Sequence, residues 1–417
     1  MYNYSHKYII YGETFMNAYL QNDDAMLYRR DKYGASVSAL GFGCMRFTRS
    51  GGAVDLKKAE REVAEAMELG VNYFDSAYIY PGIDAAVGEI MSHGGRRDRV
   101  CLATKLPLML VRDAASLDRL FETQLRHLKT DHIDYYLMHM LSDLPTWERL
   151  RGLGIEEWLE KKRASGQILR AAFSFHGSHQ AFRDVLDAYP WDMCQIQYNY
   201  MDVHFQAGQA GLRYAAEKGV PVVIMEPLRG GRLVGMLPKT SKAIIESEGG
   251  GVSPARLALR WLWDQPEVTC VLSGMNSPEM LRENVGTARV SPPGCMTEAE
   301  HALIERVCAD IAAHTRVGCT GCGYYMPCPK GVDIPTAFRC LNLVSSESLN
   351  SARTDYFRAT AVRREQSSAS QCVRCGRCET HCPQGIAIRD MLAQAAAELE
   401  RFPYAIAKKA VRLLKLY

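Results

Sequence analysis

The chain has 417 residues, of which 47% are hydrophobic and 23% charged, and a formal net charge of +3. That composition supplies a core for two or three domains, or for one large barrel with an appendage. So small a charge excess argues against a nucleic-acid partner, and no apolar run is long enough to span a bilayer.

Residues 1–25 are polar and rich in Tyr and Asn, without the basic start, long apolar stretch and small-residue cleavage site of a signal peptide, and read as a tail. The segment "LYRRDKYGASVSAL" (27–40) predicts a β-hairpin around Lys32–Gly34, placed to plug the bottom of a barrel. From Leu40 to Asn284, β-rich runs alternate with amphipathic helical segments. The runs are "LGFGCM" (40–45), "VNYFD" (71–75), "VCLATK" (100–105), "IDYYLMH" (133–139), "LRAAFSF" (169–175), "CQIQYN" (194–199), "VPVVIM" (220–225) and "VTCVLSG" (268–274). Eight strand–helix units over about 250 residues predict an α/β chain built on a (β/α)8 TIM barrel. A doubly wound open sheet would carry a Gly-rich fingerprint after its first strand, which "LGFGCMRF" lacks.

A helix over 297–314 leads from the barrel into a cysteine-rich region, expected to be a small, mainly helical, ferredoxin-like iron–sulfur domain. Six of the fourteen cysteines (Cys44, Cys101, Cys194, Cys270, Cys295, Cys308) are scattered, and the other eight crowd into 319–382. Cys372-x2-Cys375-x2-Cys378-x3-Cys382-Pro has the bacterial ferredoxin spacing for an iron–sulfur cluster. The earlier run "CTGCGYYMPCPKG" (319–331) nearly repeats it, with Cys319, Cys322 and Cys328 but with Tyr325 where a cysteine belongs. Disulfides and a zinc site are the rival readings, and both fit this spacing less well. Thiolate ligands imply a reducing compartment, so the expected location is the cytoplasm. Between the two runs, 345–371 reads as part linker and part helix. At the end, "YAIAKKAVRLLKLY" (404–417) is a basic amphipathic helix with Ile406, Ala410, Leu413 and Tyr417 on its apolar face, read as packed on the parent domain. The expected divisions are a tail at 1–25, a barrel at 26–296, a connecting helix at 297–318, an iron–sulfur domain at 319–395 and the helix region at 396–417.

In such barrels the active site lies at the C-terminal ends of the strands. Asp75 ends the second run, Tyr80 follows five residues later, Lys105 ends the third run and His139 ends the fourth. Singly, Asp75 could be a helix cap, Lys105 a surface lysine and His139 a hydrogen-bonded core histidine. Together they form a proton-donating site. An ammonium beside a phenol favours the phenolate, a carboxylate keeps the lysine charged and oriented, and Tyr80 and His139 can both hydrogen-bond a carbonyl oxygen as charge develops on it. None of these groups can reduce anything, so the site needs a hydride donor. The loops 142–157 and 201–212, which mix polar and apolar residues, are expected to line the mouth.

These residues carry a resemblance. "GVNYFDSAYIY", "LATKLP", "DHIDYYLMH", "FSFHGS", "CQIQYNYMD", "VVIMEPLRGGRL" and "VLSGMNSPEMLRENV" resemble the aldo/keto reductase family, and with the cysteine runs the subgroup whose barrel precedes a 4Fe–4S ferredoxin-type region. The resemblance implies Asp75, Tyr80, Lys105 and His139 as a catalytic tetrad, with NADPH or NADH as hydride source. It implies Ser174 and Gln195 at the nicotinamide carboxamide, with Phe175 in place of the usual asparagine, His176 beside it, and Met225 where an aromatic residue usually stacks. It places Gly230, Gly231 and Arg232 at the pyrophosphate and Glu283 and Asn284 at the adenine, beside a helix capped by Asn276 or Ser277. The usual 2′-phosphate grips correspond to Gly274 and Met280, which leaves NAD and NADP both open, with Arg229, Arg232 or Arg282 as substitutes.

In two-cluster ferredoxins the fourth cysteine of each motif serves the other cluster. On that pattern Cys372, Cys375 and Cys378 with Cys328 make one complete set, while Cys319, Cys322 and Cys382 lack a partner at Tyr325. One 4Fe–4S cluster is expected; a second, a three-iron cluster or a fourth ligand from Cys340 or Tyr325 stays open. The expected function is NAD(P)H-dependent reduction of a small-molecule carbonyl to an alcohol, or the reverse, with a redox partner protein for the cluster as a further expectation. The alternative is a redox-sensing or electron-transfer protein whose barrel binds nucleotide with little turnover.

Overall fold

The computed structural model describes residues 25–321, 324–346, 348–362 and 366–413. The expected tail, apart from its last residue, Cys322 and the helix end with Tyr417 lie outside the described residues. The described chain forms two compact units, one running up to Pro227 with Arg256–Thr297 added, the other Leu228–Ala255 with the residues from Glu298 on.

The first unit opens with the expected hairpin, β1 (Tyr28–Arg30) paired antiparallel with β2 (Ser36–Ser38). Its position matches the expected plug. Val37 is buried within the barrel core, and Asp31 accepts from Tyr135 Oη at 3.0 Å and pairs with Arg170 Nε at 2.9 Å, both near the N-terminal ends of their strands. The eight barrel strands are β3 (Leu40–Gly43), β6 (Tyr73–Asp75), β7 (Cys101–Pro107), β8 (Ile133–His139), β9 (Ile168–Phe175), β10 (Met193–Gln197), β11 (Val222–Met225) and β12 (Val268–Ser273). All pair in parallel and close in the order β3–β6–β7–β8–β9–β10–β11–β12 back to β3. A small ribbon, β4 (Arg49–Ser50) with β5 (Ala53–Val54), precedes the helix Leu56–Glu68, which Asp55 caps by accepting from Lys58 N–H at 3.1 Å.

Side chains alternate across a strand, so every second residue points into the barrel. Tyr73, Ala103, Leu137, Ala172, Met193 and Val223 form its buried core. Two residues further along the same strands stand Asp75, Lys105, His139, Ser174, Gln195 and Met225. The apolar layer is therefore the floor on which a polar layer rests at the C-terminal mouth. Phe175 has the opposite parity and packs outward, its ring 5.2 Å from that of Phe182.

Three expectations need correction. The segment 142–157 is mostly helix: Leu144–Arg151, capped by Asp143, and the start of Ile155–Ala164, with Trp147 fully buried against Tyr189 and Trp191. The apolar periodicity there builds the outer layer, in place of the expected mouth-lining loop. In the second unit, the terminal helix Tyr404–Leu413 buries Tyr404 and Val411, while Ile406 and Leu413 are exposed, so the packed face is a neighbouring one. Tyr404 decides this, because its hydroxyl hydrogen-bonds Thr360 and Ser368, each at 2.8 Å. Finally, 228–255 belongs to the second unit, because Asp310 on the helix Glu298–His314 accepts from Thr240 and Ser241 of the helix Lys239–Glu248.

The second unit is otherwise built from the helices Ile334–Ser346, Leu349–Thr360 and Ile388–Leu399 around a core of Ile334, Phe338, Leu341, Tyr356 and Leu392. Among the described residues, no helix is long and apolar enough to cross a membrane.

Gly88 sits where the helix Ile83–Met91 meets the backbone of Ala114–Leu128; a Cβ there would lie 2.1 Å from the His127 carbonyl oxygen. Gly88→Ala is expected to destabilise the fold by about 1–3 kcal/mol or more. Gly286→Ala, where nothing lies within 4 Å of the added carbon in the helix Pro278–Arg289, is expected to be neutral or stabilising by up to about 1 kcal/mol. Urea midpoints of the two variants check the contrast.

Candidate active site

Four residues singled out from the sequence meet at the barrel mouth. Lys105 and Asp75 are both buried, and Lys105 Nζ donates to Asp75 Oδ1 at 2.6 Å and to the Ser76 carbonyl at 2.8 Å. Placing them is a matter of register: β6 and β7 are neighbours with Asp75 opposite Ala103, so the lysine two residues on reaches back across one strand. Tyr80 lies in the turn after β6, its N–H bonded to the Ala77 carbonyl at 3.0 Å, and the helix Ile83–Met91 starts directly after it. The Tyr80 ring lies 5.7 Å from Lys105 Nζ and meets the His139 ring edge-on at 6.1 Å between centroids. Phenol, ammonium and imidazole thus share one small space.

The imidazoles here are neutral. Burial holds His139 well below the ordinary histidine range, and the nearby Lys105 ammonium pushes in the same direction. His139 Nδ1 has no hydrogen-bond partner among the described residues. His176 is also buried and is pushed down to about 4 by desolvation, although a 3.2 Å contact with Gln206 Oε1 partly opposes this.

The residues implied for a nucleotide divide into groups. Gln195 Nε2 donates to Asp75 Oδ2 at 2.9 Å, so it braces the carboxylate from across the barrel. Ser174 Oγ accepts from the N–H of Met140, and its carbonyl from Leu141 N–H, both at 2.9 Å; Met140 has a φ of +58° and turns the chain just beyond His139. Met225 is half-buried at the end of β11. Asn284 donates to Ser273 Oγ at 3.0 Å, and Glu283 is exposed on the helix that Ser277 caps. Met280 is exposed, and at Gly274 an added Cβ would strike the aliphatic part of Arg46 at 2.5 Å. Arg282 is paired with Glu65 at 2.6 Å. Gly230, Gly231 and Arg232 belong to the second unit, where the Arg232 guanidinium is bonded to the Cys319 carbonyl, and Arg229 Nη2 donates to that of Gly318 at 3.4 Å.

Other residues of the site gave no motif signal. Asp84 is buried and its carboxyl is raised by desolvation, although it accepts from Ser76 Oγ at 2.5 Å and Thr104 Oγ1 at 3.3 Å. Gln124 ties Thr104 and the Lys105 carbonyl to Tyr136. This network fixes both ends of the lysine's setting: the Ser76 peptide that accepts from it and the strand that carries it. The only sequence hint was a carboxylate in the first turn of a helix just past Tyr80. The expected mouth segment 201–212 contributes through Gln206 to His176, and Asp202 accepts from Gln197 at 2.7 Å and Asn199 at 2.9 Å. Gln197 Oε1 and Gln206 Nε2 are buried without partners among the described residues, so together with His139 Nδ1 the mouth offers polar atoms to a ligand.

In the second unit, Cys328, Cys372, Cys375 and Cys378 border one cavity, with Tyr325 also in its wall. Among the described residues no three His, Cys, Asp or Glu side chains converge on a single metal ion. Cys319 and Cys382 do not border that cavity. Cys340 is fully buried in the apolar core, and its thiol is pushed up to about 11.

A closed parallel barrel with buried polar groups gathered at its C-terminal mouth defines a class of barrel enzymes. Residues 39–293 match the model of the aldo/keto reductase family. The chain belongs to that family of oxidoreductases. It is 27% identical over 299 residues to the uncharacterized oxidoreductase YrpG of Bacillus subtilis, covering 62% of this chain and 89% of that one. It is 23% identical over 294 residues to the Schizosaccharomyces pombe aldo-keto reductase yakc (NADP(+)), covering 61% and 85%. Among solved structures it is similar to the holo form of aldo-keto reductase AKR11C1 from Bacillus halodurans, with a TM-score of 0.56, 26% identity, and 68% and 96% of the two chains covered. It is also similar to the aldo/keto reductase from Klebsiella pneumoniae in complex with NADP and acetate, with a TM-score of 0.54, 25% identity, and 67% and 94% covered.

His176 yields a pH prediction. The unfolded chain takes up a proton on this residue near pH 6.5, whereas the folded chain resists until about 4, so stability is full above 6.5 and is lost as the pH falls between those values. The loss is about 3 kcal/mol at its limit. His176→Asn removes that slope, and urea unfolding of both proteins from pH 7 to pH 4 is expected to show the variant's stability falling less steeply.

Proposed function

We propose that the barrel catalyses reduction of a small carbonyl compound to an alcohol, or the reverse reaction, with Tyr80 as the proton donor. The observation that carries this reading is the buried Lys105–Asp75 pair beside the Tyr80 and His139 rings. A nicotinamide, if held at the mouth by residues such as Ser174, Gln195 and Met225, would supply the hydride. The neutral, polar end of His139 can hydrogen-bond a carbonyl oxygen, and Tyr80 can give that oxygen its proton as negative charge builds there. The Lys105 ammonium, held by Asp75 and the Ser76 carbonyl, stabilises the charge left on the phenol oxygen. Gln195 keeps the carboxylate from turning away. Asp75, Lys105 and His139 are buried and Tyr80 is half-buried, so the ion pair and the imidazole act at lowered dielectric.

The orphaned polar atoms of His139, Gln197 and Gln206, and the half-buried Met225, suit a flat polar ring at this mouth. NADP is the favoured nucleotide, on the strength of the relatives whose names carry it. In the second unit we assign Cys328, Cys372, Cys375 and Cys378 to a 4Fe–4S cluster, on the ferredoxin spacing and the shared cavity. Such a cluster exchanges single electrons, and its thiolates suit a reducing compartment such as the cytoplasm. The complete tetrad favours turnover over a purely electron-transferring role.

Tyr80→Phe is expected to lower kcat for reduction of a panel aldehyde or ketone by about 100- to 10,000-fold. Nucleotide affinity, read from quenching of protein fluorescence, is expected to stay within a few-fold of the parent. Undiminished turnover in that variant would remove Tyr80 from the mechanism.

A further inference from the structure

We infer that each chain assembles a single iron–sulfur cluster, and that Tyr325 fills the place from which a second would be built. This rests on the assignment of the first cluster above and concerns the cysteines which that assignment leaves over. Cys319, Cys322 and Cys382 match the second half of a two-cluster pattern, and Tyr325 stands where their fourth partner would be.

The structure gives Tyr325 and Cys319 a different occupation. Tyr325 is only 7% exposed and belongs, with Cys319 at 3%, to the buried apolar core of the second unit. The Tyr325 hydroxyl lies 3.5 Å from Cys319 Sγ. The N–H of Gly321 reaches the same sulfur at 3.4 Å, just as the N–H of Arg374 reaches Cys372 Sγ, so the phenol is the contact that sets Cys319 apart. The backbone of Cys319 is fixed as well, because the Arg232 guanidinium bonds its carbonyl. Cys319 therefore meets a phenol at its thiol and an arginine at its carbonyl. Its thiol serves as a hydrogen-bonding and packing group. The Tyr325 ring also forms part of the wall of the cavity bordered by Cys328, Cys372, Cys375 and Cys378, so one side chain closes the first site and occupies the second.

The other routes to a second cluster fail on the same grounds. Cys340 is fully buried on the helix Ile334–Ser346, within the apolar core that also holds Ile334, Ala337 and Leu341. A phenol oxygen is a hard donor, whereas iron–sulfur clusters select soft thiolates. Tyr325 is thus a poor ligand and a good filler: its ring supplies apolar volume to a core that a cluster would otherwise complete.

The test is a count of metal in the full chain purified without oxygen, paired with Tyr325→Cys and Tyr325→Phe. The parent chain and Tyr325→Phe are each expected to hold about four iron and four acid-labile sulfide, with the reduced protein giving the electron spin resonance of one isolated centre. Tyr325→Cys is expected to rise to about eight iron, with the broadened spectrum of two coupled centres. About seven or eight iron in the parent chain overturns this inference and leaves the first cluster standing. A Tyr325→Cys chain that folds, by circular dichroism, yet stays at about four overturns the role given to the tyrosine. A parent chain without iron removes the cluster assignment itself. If Tyr325→Cys does not fold, the iron count of the parent and of Tyr325→Phe still decides between one cluster and two.

Discussion

Asp75 and Lys105 form an ion pair at 2.6 Å with almost no access to water, and the barrel mouth is organised around it. Two charges taken out of water cost several kcal/mol each, and they stay charged only when their remaining bonding capacity is met. Here it is met from three directions. The Ser76 carbonyl takes a second lysine proton, Gln195 donates to the far carboxylate oxygen, and Asp84 fixes Ser76 from behind. Removing one partner leaves the other as a buried lone charge, typically 3–5 kcal/mol of destabilisation. A fold that keeps such a pair at its mouth gives up stability for a placed ammonium. That ammonium lies against Tyr80, and the two buried histidines, His139 and His176, stay neutral in the same space.

The second unit uses cysteine, arginine and tyrosine in a comparable way. Arg316 pairs with Glu398 through two short contacts, and Tyr356 links Glu400 to the N–H of Ala369, just ahead of the second cysteine run. The Tyr356 bond and that from Ser370 N–H to Glu400 hold the start of the loop that brings Cys372, Cys375 and Cys378 to the cavity they share with Cys328. Arg232 is spent on the Cys319 carbonyl. The arginine of the turn read from the sequence as a phosphate contact is thus also tied into the cysteine-bearing unit.

Much of this was legible in the residues. All eight strands lie where the alternating runs placed them, because a buried parallel strand writes itself as a short apolar block between turn residues. Asp75, Lys105 and His139 could be read as convergent because each stands at or near the C-terminal end of a strand with inward parity. What could not be read was any tie across the barrel. The Gln195–Asp75 bond joins residues 120 positions apart, and a sequence pattern carries only local periodicity. The helix at Leu144–Arg151 was mistaken for loop because its charged residues mask an apolar stripe of Trp147 and Leu150. The packed face of Tyr404–Leu413 was missed because two hydrogen bonds from one phenol outweigh the exposure of Ile406 and Leu413. Tyr325 was visible as an exception, but its burial against Cys319 was not.

In the proposed mechanism Asp75 and Lys105 act as one unit in support of hydride transfer at the barrel. A double-mutant cycle with Asp75→Asn, Lys105→Met and both together, read as the single-turnover rate of nucleotide oxidation by a carbonyl substrate, tests this most directly. Each single variant should slow the step by about 100-fold or more, with the double no more than about tenfold slower again. Losses that simply multiply, or a Lys105→Met rate equal to that of the parent chain, would contradict it.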